Sequence, residues 1–422
     1  MNIGTQAKRQ LLRFRHFMLQ GVRVPVFLGL LSTYLVFQMI YTPPVLIRQL
    51  LERLDNVVYD IRMNVARGTL RENEHNIVIV DYDQKSLNQE GQWPWSRFKI
   101  GQMVQNLADY GALVVGFDVF FPEYERNIAV ELNRRLEADP SLQEGMEDLL
   151  PELSALATVL DADRYFAESM EITDVVLGFS FRRNESNRTG ILPQPIFNVA
   201  DAENWTLSID EQQGYIGNVD ILQNAANGAG FFDTFTDIDG VIRRSPLFMQ
   251  FQGKLFPSLS LDMARLYYFE DEFTPEITRD SLDIYSQLIG IRMGQILIPT
   301  DQFGGVLVPY LGPSGSFPYI SATDVLNGTL TDEQKELLIN SLVLVGTTAT
   351  GLYDLRATPV EAVYPGVEIH ANILNALLSS SVEIEVGGEQ GTDSGGGALS
   401  SFTSALNAGK QSPFPSRPDW EK

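Results

Sequence analysis

The residues best suited to chemistry are carboxylates that follow two apolar, strand-like segments. Asp81 and Asp83 end the first segment, and Asp118 directly follows the second. We expect the two strands to be adjacent and parallel, so that the carboxylates meet in the crevice at the carboxyl ends, where open α/β sheets bind ligands. There they could bind a cation or a cationic ligand, or serve as acid and base. The alternative is that they cap turns and the N-termini of neighbouring helices.

A pair of tryptophans is a second candidate for ligand contact. Trp93 and Trp95 flank Pro94, which restricts the backbone between them. Such an aromatic pair is suited to the mouth of a pocket, and it is equally suited to packing a loop against the sheet. Both interpretations stay open at this point.

Two threonines are a third candidate. Thr347 and Thr348 follow the apolar residues 342–346, and their hydroxyl groups could donate hydrogen bonds to a bound anion. The segment 346–351 has the glycine spacing of a phosphate-binding loop but lacks its lysine, so we do not expect such a loop. The alternative for the threonines is a tight turn.

Composition excludes several other chemistries. The chain contains no cysteine, so disulfides, thiol catalysis and cysteine-based zinc sites are excluded. Its three histidines, His16, His75 and His370, include no pair with metal-ligand spacing, and we expect no metal site and no cofactor. A net charge of −23 repels phosphate backbones and argues against nucleic-acid binding. We expect His370 to be a hydrogen-bonded, partly buried helix residue, with a pH-sensing role as the alternative.

The elements that must position the candidate residues alternate between strands and helices. Continuous apolar runs at 76–81 and 113–117 are typical of strands buried on both faces. Ser96 is suited to cap a helix between them that ends near Gly111, which makes a βαβ unit. Further strand-like runs cover residues 175–179, 247–251, 296–298 and 342–346. The pattern predicts an α/β fold with a mixed, largely parallel sheet flanked by helices.

Two helix starts stand out in the last third of the chain. Thr331 and Gln334 have the spacing of a capping box, in which each side chain bonds to the other residue's backbone N–H. Pro365 is suited to the first position of a helix, and Ile369 and Leu377 lie on its apolar face.

The N-terminal segment predicts a membrane anchor. Residues 1–23 contain five basic residues and no acidic one, and residues 24–47 then carry no formal charge. A segment of this length can span a bilayer, and the cationic flank stays on the cytoplasmic side. We therefore expect one transmembrane helix at 24–47, rather than a cleaved signal peptide or a buried core helix. The rest of the chain would lie on the extracytoplasmic side of the inner membrane.

The segment after the anchor carries an apolar stripe. Leu46, Leu50, Leu54, Val57 and Ile61 are spaced by four, four, three and four residues, which places them on one face of a helix. This helix either packs on its own domain or forms a stalk that pairs with a second copy and transmits motion to the membrane. The second interpretation predicts a homodimer through the stalk.

Two segments differ in composition from the rest of the predicted domain, which covers residues 48–381. Residues 131–170 contain ten acidic and three basic residues in helix-forming sequence, and they predict a solvated helical insertion. Residues 382–422 contain seven glycines together with many serines and prolines, a composition typical of a flexible tail.

An ordered set of local sequences resembles one domain family. The set comprises residues 54–62, 79–86, 91–97, 111–123, 230–246 and 343–372. In this order and spacing it is similar to the second type of CHASE domain (CHASE2), the extracellular sensing domain of bacterial cyclases and kinases. The likeness covers roughly residues 45–380 and has residues 131–170 as an insertion.

The resemblance implies a sensor that follows one anchor helix and precedes further membrane spans and a cytoplasmic output, such as a nucleotide cyclase or a protein kinase. This chain reaches Lys422 without such an output, so we expect it to be a fragment or to have lost that half. We interpret it as the membrane-anchored extracytoplasmic sensor of a bacterial signalling receptor that binds an unidentified ligand and is not itself an enzyme. The alternatives are a scaffold that binds a partner through 131–170, and a tethered envelope enzyme that uses Asp81, Asp83 or Asp118.

Overall fold

A computed structural model of the chain describes residues 23–41, 45–66, 75–138, 149–183, 185–198, 208–270, 272–279, 286–349 and 355–379. These residues form two compact units, one containing those up to Arg62 and the other containing those from Met63 onward. The predicted basic leader at 1–23, except for Arg23, and the predicted flexible tail at 382–422 lie outside the described residues, so the structure does not test these two predictions.

The first unit is helical. Helix α1 (Arg23–Tyr41) covers most of the predicted anchor, and helix α2 (Val45–Ala66) begins before the predicted anchor ends. The sequence between them contains Pro43 and Pro44, which lack the N–H that a continuing helix needs. Within the described ranges, none of the helices combines the length and the apolar character required to cross a membrane. The transmembrane anchor at 24–47 therefore stays a prediction.

The second unit contains eighteen strands and ten helices among the residues described. The strands are β1 (Ile77–Asp81), β2 (Val114–Phe117), β3 (Asp174–Arg182), β4 (Arg188–Thr189), β5 (Phe197–Asn198), β6 (Gly214–Ile216), β7 (Gly228–Phe231), β8 (Arg244–Pro246), β9 (Phe248–Phe251), β10 (Lys254–Pro257), β11 (Phe273–Arg279), β12 (Ser286–Met293), β13 (Ile296–Pro299), β14 (Gly305–Leu307), β15 (Tyr319–Ser321), β16 (Leu342–Gly346), β17 (Leu355–Arg356) and β18 (Tyr364–Pro365). The helices are α3 (Gln84–Glu90), α4 (Arg97–Asp109), α5 (Ile128–Ala138), α6 (Leu149–Val159), α7 (Ala162–Ser169), α8 (Asp220–Ala225), α9 (Leu259–Tyr267), α10 (Ala322–Asn327), α11 (Asp332–Leu338) and α12 (Gly366–Ser379).

The central sheet is largely parallel, which confirms the predicted α/β class. Six parallel strands lie in the order β15, β1, β16, β2, β3 and β7. β6 pairs antiparallel with the second half of β3 and carries β4 on its other side. Smaller antiparallel sheets of β5, β10 and β9 and of β11, β12 and β13 complete the unit.

The expectation that β1 and β2 are adjacent is wrong. β16 lies between them, with Ile79 of β1 opposite Leu344 and Val115 of β2 opposite Val343. The crossover through α4 therefore passes over one strand position, which β16 fills from much later in the chain. The five residues of β16 are all buried, as expected for a strand with hydrogen-bonded neighbours on both sides and helices on both faces.

Helices cover both faces of the sheet. Because side chains alternate along a strand, Val78 and Val80 face one core, which includes α4 and Phe166 of α7. Ile77 and Ile79 face the other core, which includes α9 and α12. Gly116 of β2 allows α9 to approach closely, since a Cβ atom there would lie 2.2 Å from the Met263 sulfur.

Most of the predicted helix signals are confirmed. Ser96 caps α4 by accepting a hydrogen bond from the Phe98 N–H at 3.3 Å. Thr331 and Gln334 form the predicted capping box at the start of α11. Pro365 is the exception, because it pairs with Leu355 in the β17–β18 ladder and α12 begins one residue later, at Gly366.

The acidic segment 131–170 is helical where it is described, but its last part is not solvated. α7 buries Phe166 completely, with its ring 5.8 Å from that of Phe117 and 5.3 Å from that of Phe121. By contrast, Val159 at the end of α6 is 71% exposed. The buried face of α7, with Ala162, Phe166 and Ala167, therefore belongs to the core of the domain.

This assignment predicts the effect of shortening two side chains. F166A should lower the free energy of unfolding by about 3–5 kcal/mol, because it leaves a cavity among packed rings. V159A is the matched control and should change it by less than about 0.5 kcal/mol, because the side chain is already exposed. Urea unfolding of both variants measures the difference. Equal values for the two would show that α7 lies outside the core.

Candidate functional site

The carboxyl edge of the sheet brings together the ends of β1 and β16. Asp81, the last residue of β1, is 6% exposed, and its Oδ1 accepts a hydrogen bond from the Thr348 N–H at 2.7 Å. The Thr348 hydroxyl donates a short hydrogen bond to the other carboxylate oxygen. Burial raises the pKa of Asp81 to about 6, and the Asp83 carboxylate adds to this increase while the two bonds from Thr348 oppose it.

Asp83 acts as a helix cap. Its Oδ1 accepts a hydrogen bond from the Ser86 N–H at 2.7 Å at the start of α3, and its Oδ2 accepts one from the Ser321 hydroxyl of β15. Asp83 therefore ties α3 to β15, which is the capping role that the sequence left open as the alternative to ligand binding.

Thr347 also binds to the end of β1. Its hydroxyl group donates to the Tyr82 carbonyl at 3.1 Å and accepts from the Ala349 N–H at 3.2 Å. Both predicted threonines thus connect β16 to β1. Their described contacts are with the protein itself, and a role in anion binding stays a prediction.

Trp93 and Trp95 pack around Tyr82. Their rings lie 4.7 Å and 4.9 Å from the Tyr82 ring, which is almost completely buried. Trp95 is itself 4% exposed and donates its indole N–H to the Gly91 carbonyl at 2.9 Å. This geometry supports the packing interpretation, in which the pair holds a loop against the sheet.

Asp118 does not meet Asp81, because β16 separates the two strands. Its backbone N–H bonds to the Val345 carbonyl at 2.8 Å, and its carboxylate lies 4.0 Å from Nε2 of His370 on α12. The same His370 nitrogen is 3.1 Å from the Phe232 carbonyl. The predicted cluster of three carboxylates is therefore wrong, and Asp118 belongs to a second group with His370, which is buried as the sequence predicts.

The sequence interpretation missed a buried carboxylate on α12. Glu368 is completely buried and accepts hydrogen bonds from the Gly315 N–H at 3.0 Å, the Ser316 N–H at 2.9 Å and the Tyr319 hydroxyl at 2.8 Å. Burial raises its pKa, and these bonds oppose the increase. A signal was present, because Glu368 and Asn372 are polar residues four apart on a helix that is otherwise largely apolar.

Asn372 extends the contacts of Glu368. Its amide group donates to the Tyr364 hydroxyl at 2.9 Å, and its carbonyl oxygen accepts from the Leu311 N–H at 2.8 Å. The loop before β15 is therefore held to α12 by two buried side chains. Such a fully bonded polar arrangement specifies one position of α12 relative to the loop.

The side chains at the carboxyl edge can change their protonation and their hydrogen bonds, but they do not form a reaction centre. Asp81 and Asp83 use both carboxylate oxygens in contacts with neighbouring residues, and Asp118 lies beyond β16. Over the part of the chain that the structure describes, no three His, Asp or Glu side chains are grouped as a metal ion would require. The edge instead joins β1, β15, β16 and α12 through buried polar bonds.

Comparison with known proteins gives one match. The CHASE2 domain family matches residues 33–392, a range that includes all six parallel strands of the central sheet. No curated protein and no solved structure matches the chain.

The pKa of Asp81 predicts a pH dependence of stability. Its pKa is about 6 in the folded protein and 3.8 ordinarily, so the folded state binds more protons between these values and stability falls as the pH rises through them. D81N removes this ionisation. The free energy of unfolding of wild type minus that of D81N should therefore be about 2 kcal/mol larger at about pH 4.5 than at about pH 7.

Guanidinium unfolding at the two pH values measures this change. V159A is the control, because it changes no ionisable group and the Val159 side chain is exposed, so its difference from wild type should not change with pH. If D81N behaves like V159A, Asp81 does not ionise in this window.

Proposed function

The chain belongs to the CHASE2 family of extracellular sensor domains, and from this premise we propose that it is the sensor region of a bacterial signal-transduction receptor. The family match over residues 33–392 carries this proposal. The site geometry supports it, because buried hydrogen bonds at the carboxyl edge join separate elements of the α/β sheet, and a change in those bonds would alter how the elements are arranged.

We further propose that the chain is anchored in the inner membrane with its N-terminus in the cytoplasm. The support is the cationic segment 1–23 followed by the uncharged segment 24–47. The sensor unit would then lie in the periplasm or outside the cell. The receptor's output, a nucleotide cyclase or a protein kinase, lies outside residues 1–422 in this proposal.

The proposed mechanism is conformational. A ligand that binds one arrangement of the domain more tightly than another shifts the domain toward that arrangement by the difference in affinity. The bonds of Asp81 to Thr348 and of Glu368 to the loop before β15 are the contacts that we expect to differ between arrangements. Direct ligand contact by Asp81, Asp83, Trp93, Trp95, Asp118, Thr347 or Thr348 stays a prediction.

The enzyme alternative lacks support from the geometry. Asp81 and Asp83 are used in structural contacts, and Asp118 is separated from them by β16. The scaffold alternative, in which residues 131–170 bind a partner, has less surface to use than the sequence suggested, because the buried residues of α7 are not accessible to a partner. Within the described residues, an interaction through the acidic segment would use α5, α6 and the exposed face of α7, which carries Arg164 and Glu168.

The apolar stripe on α2 supports a homodimer. Leu50, Leu54, Val57 and Ile61 are each more than half exposed, with spacings of four, three and four residues. This is the spacing of the inward positions of a coiled coil, in which an identical helix would cover the same face. We propose that a second copy of the chain does so and that the pair moves as a stalk.

The proposed location predicts where the native polypeptide is found. An antibody against residues 48–380 should detect it in the inner-membrane fraction after an alkaline wash, because an apolar anchor resists extraction. A band above 47.2 kDa would place the output on the same polypeptide, and a band at 47.2 kDa would assign it to a separate partner. Recovery in the soluble fraction would contradict the anchor.

The proposed stalk predicts a change in oligomeric state. The double variant L54E/I61E should convert a dimer into a monomer, because it places like charges in the apolar seam. N56E lies on the opposite face of α2 and should leave the dimer intact. Chemical cross-linking of the full chain in membranes measures the outcome, and an unchanged dimer in L54E/I61E would exclude the stalk as the interface.

A further inference from the structure

A cavity of about 760 Å³ lies away from the carboxyl edge, where the start of β7 meets α9, the end of β10 and the start of β11. Its volume falls within the range typical of small-molecule sites. One wall is apolar and consists of Pro193, Pro195, Ile196 and Phe273. The lining also includes the polar residues Gln223, Arg265 and Glu272, which gives the cavity the mixed character of a site that fixes the orientation of a ligand.

An arginine is held in place at this cavity. Arg265 donates its Nε–H to Asp262 at 2.6 Å, and Asp262 is only 3% exposed. Gly228 makes room for this pair, because a Cβ atom there would lie 2.1 Å from the Asp262 carboxylate. Among the residues described, the contacts of the Arg265 terminal nitrogens are long ones of 3.4 Å, to the Glu270 and Asn227 carbonyls. Its planar end can therefore donate to a carboxylate.

A buried amide offers a second donor. Gln223 is 7% exposed, and its carbonyl oxygen accepts a hydrogen bond from Asn218 at 3.2 Å. Its NH₂ group makes no hydrogen bond with any other residue that the structure describes, and Gln223 lines the cavity. Because Gln223 lines the cavity, this NH₂ group is available to donate to a ligand oxygen or to water.

The charges of the lining decide the class of ligand. Arg265 is the single base among the described lining residues, whereas Asp262 and Glu272 are acids. A third carboxylate, that of Asp174, is close enough to interact electrostatically with Arg265. Burial raises the pKa of Asp174, and the charge of Arg265 partly opposes this increase. A simple anion would meet an excess of negative charge here. A ligand that carries a positive charge as well as a carboxylate would avoid this repulsion.

We propose that this cavity binds a zwitterionic ligand, a free amino acid or a short peptide. This proposal rests on the sensor function above and names the chemistry of its ligand. The carboxylate of the ligand binds to Arg265 and the Gln223 amide, and its ammonium group faces Glu272 at the rim. The apolar wall contacts the side chain. Glu272 is exposed and makes no ion pair within the described part of the chain, so it is available for this contact.

The position of the cavity connects it to the rest of the sensor. Asp262 and Arg265 lie on α9, whose Ser260 hydroxyl donates to the His370 carbonyl of α12 at 2.9 Å. The Met263 side chain of the same helix packs against Gly116 of β2. A ligand that moves α9 would therefore act directly on α12 and on the carboxyl edge.

The test is binding to the full chain in detergent, measured by thermal shift and calorimetry with the proteinogenic amino acids one by one and with trialanine. Binding of a free amino acid or of the peptide distinguishes the two sources. R265K and E272Q should each weaken binding by about tenfold or more. Lysine lacks the planar pair of donors that meets a carboxylate, and glutamine lacks the charge that meets the ammonium group. R292K and E276Q alter an exposed ion pair on β11 and β12 and should leave the affinity unchanged.

An uncharged analogue completes the design. The N-acetylated amide of the best ligand should bind at least about tenfold more weakly, because it lacks both charges. The proposal is overturned if no amino acid or peptide binds, if the neutral analogue binds equally well, or if R265K and E272Q match their controls. E272Q changes an exposed side chain and should fold normally, so its result is informative even if R265K does not fold. None of these outcomes affects the membrane test of the sensor function.

Discussion

The pairing of β16 on both of its edges is the constraint on which the rest of the domain depends. This strand hydrogen-bonds to β1 on one side and to β2 on the other, so a segment near the end of the domain completes the sheet begun at its start. The same pairing places Thr348 against Asp81 and keeps Asp118 apart from it. It also positions α12, because a Cβ atom on Gly346 would lie 2.7 Å from the side chain of Val367.

The polar groups at the carboxyl edge are buried at a cost that their hydrogen bonds offset. Asp81 and Glu368 both have raised pKa values, because burial disfavours their charged forms more than the neighbouring donors favour them. With a pKa of about 6, Asp81 can lose its charge in mildly acidic conditions. The edge therefore combines a specific geometry with sensitivity to pH, a combination suited to the conformational mechanism proposed above.

The two faces of the sheet have different roles in this account. The face with α4 and α7 is a dense aromatic and aliphatic core, in which Phe117, Phe121 and Phe166 pack edge to face. The opposite face carries α9 and α12, which contain buried polar residues and contact each other through Ser260. Because satisfied polar contacts fix one arrangement, we expect α9 and α12 to shift only when these hydrogen bonds change.

What the sequence determined by itself was local. The apolar runs predicted β1, β2, β3 and β16, the cap residues Ser96 and Thr331 predicted the starts of their helices, and the ordered motifs indicated the family. These features depend on hydrophobic periodicity and on hydrogen bonds between residues a few positions apart, so the chain carries them without its fold. Only the tertiary structure decided which strands are neighbours, why Asp118 meets His370, and how Glu368 and the Arg265–Asp262 pair are buried. Those contacts join residues that are distant in sequence or depend on the packing around them, and no local pattern encodes which long-range partner completes a sheet or closes a cavity.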